Sequence, residues 1–212
     1  MNVRSSVIWS LEHLENTSFE VMGALTAALQ QDVEGWVRSR AAKYLGWLGK
    51  ARPEVMGALT AALQQDTEID VRSMAAWSLA QLGHASLLGV TSTLLEGARG
   101  SNYPSIRGNC ALQLGEVGKA DEPTRQALWH GLLDEYGYVR EACMQALVRL
   151  AQRFPDALAS IESKLVQALA DPAFKQLDAP NPDEPGSERR AYDYAYDALW
   201  LIVTGREGDG EG

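Results

Sequence analysis

The chain has 212 residues, of which 46% are hydrophobic, 22% charged and 8% aromatic, a balance that supports a sizeable core and excludes wholesale disorder. Nineteen Lys and Arg stand against 28 Asp and Glu, a formal charge of −9, whereas a nucleic-acid binder needs a basic surplus for its phosphate contacts. No apolar run approaches the ~18 residues of a spanning helix, no cleavable leader opens the chain, and two cysteines cannot build a disulfide framework, so a cytoplasmic location without membrane contact is expected.

Self-similarity organises the elements. The block VMGALTAALQQD stands at 21–32 and again at 55–66, an offset of 34. The pairs Val3-Arg4, Val37-Arg38, Val71-Arg72, Ile106-Arg107 and Val139-Arg140 mark one phase, with offsets of 34, 34, 35 and 33. Val3 opens a helix of a kind designated B, with no A helix ahead of it, which suggests the end slice of a longer array. Val21, Leu25, Ala28 and Leu29 then lie on one stripe of a 3.6-residue period and predict an A helix. Val37, Ala41, Ala42, Leu45 and Leu48 predict the next B helix, closed by Gly49 as a C-cap. The second unit repeats both stripes, with Val55, Leu59, Ala62 and Leu63 before Val71, Ala75, Ala76, Leu79, Leu82 and the cap Gly83.

Further B helices start at Ile106 and Val139, and place Cys110 and Cys143 at a core position, too far apart for a bridge. The last B helix is phased at Ala191, Ala195, Leu199 and Ile202, which leaves a spacing of 52 after Val139. Most of the excess lies in residues 171–188, where Pro172, Pro180, Pro182 and Pro185 predict an acidic loop. That loop carries −4 and the tail 204–212 carries −2 of the total −9, leaving the packed body near −3. Tyr192, Tyr194, Tyr196 and Trp200 make the last helix aromatic, as a terminal repeat facing water tolerates. No run alternates with period 2, so the fold class is all-α. Two short helices cannot bury both stripes alone, and the hairpins must stack.

An acid six residues ahead of each basic mark is the most specific signature: Asp32 with Arg38, Asp66 with Arg72 and Asp134 with Arg140, Ser101 taking the acid's place before Arg107. This pattern resembles the HEAT repeat, in the short form of phycobilisome-lyase-like and bacterial signalling proteins. The resemblance implies an α-α superhelix, a HEAT-like solenoid of about five to six hairpins in one domain over 1–203, with B helices on the concave side. The Asp and Arg residues are read as a structural ladder, since a carboxylate ending the A helix can accept from turn amides or from an Arg fork in the following B helix.

Chemistry is sparse. His13, His84 and His130 fall in different phases of the repeat, no metal motif or phosphate loop occurs, and the His-Glu dipeptides of the iron-binding HEAT enzyme deoxyhypusine hydroxylase are not present. No catalysis, metal or cofactor is expected. B-helix positions facing neither core nor neighbour present Trp9, Lys43, Tyr44, Trp47 and Trp77, a row of large aromatics suited to gripping a protein partner. The expected function is therefore a scaffold or adaptor, read as the terminal slice of a larger bacterial signalling or defence protein. The other reading is a phycobilin-lyase-like subunit holding a tetrapyrrole in the same groove.

Overall fold

Every apolar stripe of 3.6-residue spacing within residues 19–48, 52–87, 89–175 and 189–205, the parts described by the computed structural model, is a helix. Eleven helices and no strand occur among the described residues. They group into two compact units, Met1–Ser101 and Asn102–Gly212. The first predicted B helix, with Trp9, and the cap Gly49 lie outside the described residues.

In the first unit, α1 (Phe19–Gln31) and α2 (Gly35–Trp47) form one hairpin, α3 (Pro53–Gln65) and α4 (Ile69–Gln81) the next, and α5 (Val90–Gly100) packs on α4. The A helices α1 and α3 lie side by side, as do the B helices α2 and α4. Leu25, Leu29, Val37, Ala41, Ala42, Leu45, Val55, Leu59, Ala62, Leu63, Val71, Ala75, Ala76 and Leu79 are all buried, so these members of the two predicted stripes are the shared core. Val21, Ala28, Leu48 and Leu82 are only half-buried, and Met22 is buried where the stripe places Val21. Pro53 starts α3 where its missing N–H costs nothing. After α4, Gly83 takes a left-handed φ of 84°, and the His84 amide donates back to the Leu79 carbonyl at 2.8 Å, a turn that only glycine enters without strain.

The B helices meet through a small-residue contact that the stripe does not reveal. A Cβ on Gly46 would stand 2.7 Å from Ser78 Cβ and 2.8 Å from Ser78 Cα, so α2 and α4 approach closely enough for the Ser78 hydroxyl to donate to the Ala42 carbonyl at 2.7 Å. The same register recurs in the second unit, where a Cβ on Gly115 would stand 2.7 Å from Ala146 Cα. Counted from the Val or Ile mark, the tenth residue of one B helix receives the eighth of the next.

The second unit contains α6 (Pro104–Val117), α7 (Glu122–Gly131), α8 (Gly137–Arg153), α9 (Pro155–Ala170), α10 (Pro172–Lys175) and α11 (Ala191–Thr204). Helices α7 and α8 form a hairpin, α6 packs along α8, and α11 packs on α8 and α9. Asp121 caps α7, its carboxylate accepting from the Thr124 amide at 3.0 Å. The expected loop over 171–188 is corrected at its start. Residues 172–175 are the short helix α10, and Phe174 is buried against Trp129 with ring centroids 6.0 Å apart. The physical reason is that Pro172 is compatible with a first helical turn and that one buried aromatic suffices to anchor it. Residues 176–188 and the tail from 206 lie outside the described residues.

Candidate functional site

Two sets of side chains came from the sequence: the Asp and Arg ladder and the aromatic row. In the ladder, each arginine reaches further than the spacing suggests. Arg38 donates from Nη1 to the Asp32 and Val33 carbonyls, at 3.0 and 3.2 Å. Its Nε and Nη2 form a fork on the two carboxylate oxygens of Asp66, at 2.7 and 2.9 Å. Arg107 repeats the fork on Asp134 at 2.7 and 2.8 Å.

The expected pairing within a repeat is thereby corrected: the arginine holds the backbone of its own turn and the carboxylate of the next turn along. Six residues place Asp32 and Arg38 on one turn, but the planar fork needs a carboxylate facing it edge-on, and the following repeat supplies one. Each acid is fixed from its own side too. Asp32, Asp66 and Asp134 each accept, at 3.0 Å, from the amide two residues on, those of Glu34, Glu68 and Tyr136. Burial, the largest influence on Asp66, opposes its charge, but the Arg38 fork, the Glu68 amide and the positive field of Arg38 and Arg72 outweigh it, and its carboxyl lies below the ordinary range.

The rungs change where the acid is missing. Arg72 holds the Asp66 and Thr67 carbonyls at 3.1 and 3.0 Å and reaches Glu96 at 3.5 Å, while Ser101, in the acid's place, donates to Asp70 at 2.5 Å. Arg140, only 2% exposed, donates to the Asp134 and Arg189 carbonyls at 2.7 and 3.0 Å and stacks over Tyr194 at 5.4 Å. Among the described residues, Arg38, Arg72, Arg107 and Arg140 are each engaged by protein acceptors.

The aromatic row is not uniform. Trp47 is 66% exposed, whereas Trp77 is 6% exposed. The expectation that Trp77 lines a groove is thus corrected: its indole is packed. The reason lies in the place of its helix, since α4 touches α2, α3 and α5 and is buried at every residue from Ser73 to Ala80. Helix α2 keeps an open face. There Lys43 Nζ lies 5.3 Å from the Trp47 ring centroid, and Tyr44 meets Trp47 at 5.9 Å with planes tilted by 59°.

One member of this surface was missed. Trp36, 38% exposed, precedes the Val37 mark and so falls outside the concave rows counted from it. Its spacing from Lys43 and Trp47, seven and eleven residues, puts all three on one stripe of α2, with the exposed Arg40 between them. The interval of two helical turns was the signal that could have found it.

Among the described residues, no group of three or more His, Cys, Asp or Glu could hold a metal ion, and no helix is long and apolar enough to cross a membrane. Cys110 and Cys143 are buried and unbridged, and burial pushes the Cys143 thiol up. Residues 56–148 match the family model for HEAT repeats. No curated protein matches the chain.

Proposed function

Because this chain is a HEAT-repeat protein, we propose that it is a non-catalytic scaffold that binds a protein partner through the open stripe of α2, formed by Trp36, Arg40, Lys43 and Trp47. The single observation carrying this reading is the exposure of Trp47 beneath the Lys43 ammonium, because an exposed indole beside a cation is the composition of binding hot spots. Two indoles separated by two cations suit a partner segment that alternates apolar and acidic side chains, the charge pairs guiding register and the rings supplying buried area. The Arg38 fork ties the turn that opens α2 to the next turn along, which anchors the N-terminal end of the stripe. A cytoplasmic location belongs to the same proposal.

The test is a quantitative retention assay with the intact chain as bait. Trp47→Ala and Lys43→Glu should each weaken capture of a saturably bound polypeptide at least tenfold, with the melting midpoint unchanged, since Trp47 contributes little to the core. Undiminished capture by both variants would remove the α2 stripe from the proposal.

A further inference from the structure

The layer of A helices in the second unit carries a groove of about 390 Å³, a size within the range of small-molecule sites. It lies between α7 and α9. In the first unit the corresponding helices α1 and α3 pack directly on each other, but α7 and α9 do so much less. Ser160 and Ser163, on the groove side of α9, are too small to fill the gap that larger side chains would close.

The lining has two distinct ends. Buried Leu147 of α8 and buried Ile161 of α9 give an apolar floor. Trp129 adds an aromatic wall, its ring stacked with that of Phe174 and 5.1 Å from Lys164 Nζ, measured to the centroid. Arg125 and Glu122 also line the groove and pair with each other at 2.7 Å; Glu122 accepts from Gln126 as well, at 2.8 Å. Their charges offset locally, and Lys164 forms no ion pair among the described residues, so the lining has a surplus of one cation in a chain of net charge −9.

We infer that the groove between α7 and α9 binds a small organic carboxylate with an aromatic or branched aliphatic body, the carboxylate meeting Lys164 and the Ser163 hydroxyl and the body lying on Trp129 over Leu147 and Ile161. A carboxylate matches the Lys164 ammonium, which lies over Trp129 and within the field of Glu122 but forms no ion pair among the described residues, and an apolar body matches a floor that no water can hydrogen-bond. An organic cation would face Arg125 and Lys164 together, and a phosphate would bring a second charge toward Glu122. The site is separate from the α2 stripe and does not depend on it.

The experiment titrates the intact chain with 4-phenylbutyrate and 4-phenylbutyramide, followed by saturation-transfer NMR and by the shift of the Trp129 indole N–H assigned through Trp129→Phe. The carboxylate should bind at least tenfold more tightly than the neutral amide, the factor a charge-assisted bond supplies. Lys164→Met should abolish that preference, and Ser160→Leu, which fills the groove, should abolish binding of both while circular dichroism is unchanged. Equal binding of acid and amide, binding indifferent to both substitutions, or no saturable binding up to about 10 mM, weaker than any functional site of this size, would each overturn the inference.

Discussion

Asp66 closes one turn by accepting from the Glu68 amide and ties that turn to the preceding one by accepting the Arg38 fork. Removing it leaves a largely buried guanidinium without its carboxylate, so Asp66→Ala should lower unfolding free energy by about 2–3 kcal/mol in urea titration. A double-mutant cycle with Arg38→Ala should return most of that loss as coupling energy, and purely additive losses would mean that the fork contributes nothing. The pH dependence has a definite sign. Asp66 is held below its ordinary value, so its contribution is complete above the unfolded carboxyl's ~3.9 and is lost as pH falls through the lower folded value. The stability gap between wild type and Asp66→Asn should therefore be level from about pH 7 to pH 5 and narrow only below about pH 4.

Trp77 and Trp47 separate packing from recognition at the same scale. Trp77→Ala should destabilise by about 3–5 kcal/mol, as the loss of a buried aromatic does, whereas Trp47→Ala should leave the melting midpoint in place. The two residues looked alike in the sequence because repeat phase fixes which face of a helix a side chain occupies. Phase does not say whether the helix itself is covered. That depends on α4 being packed by α2, α3 and α5, which no single position encodes.

At the scale of elements, glycine reports how close two helices come. Gly46 meets Ser78 of α4, including its Cα, so Gly46→Ala must push two backbones apart and should cost about 1–3 kcal/mol in spite of its better helix propensity. Gly57 of α3 has nothing within 4 Å of its missing Cβ, and Gly57→Ala should stabilise by about 0.5–1 kcal/mol. Thermal unfolding of the two variants side by side checks the B-helix register, and equal effects would contradict it. Helix α10 makes a third case: Phe174→Ala should destabilise the chain by about 3 kcal/mol through loss of the Trp129 stack, although its residue sits in a stretch that composition alone marks as loop.

The stripes were legible because an amphipathic helix writes its buried face into every third or fourth residue, and the repeat wrote it five times over. Helix ends were legible at Pro53 and Gly83 for equally local reasons. The ladder's residues were visible but their partners were not, since a spacing of six fixes which groups share a turn and says nothing of the fork's reach to the next. Trp36 was readable from its two-turn interval to Lys43 on one helix face, whereas Trp129 acquires its role only from Phe174 and Lys164 on two other helices, which no local spacing encodes.

Within each unit short hairpins are tied turn to turn, by Arg38 on Asp66 in the first and Arg107 on Asp134 in the second, and an open face of the first unit is proposed to hold a partner. The decisive measurement is saturable partner capture by the intact chain, its Trp47→Ala variant and its Trp77→Ala variant, each with its unfolding free energy determined in parallel. Recognition through α2 requires that Trp47→Ala loses at least tenfold in capture at unchanged stability, and that Trp77→Ala loses stability while its folded fraction still binds. A folded Trp47→Ala variant that captures the partner as well as wild type, or a wild-type chain that captures no partner saturably, would contradict it.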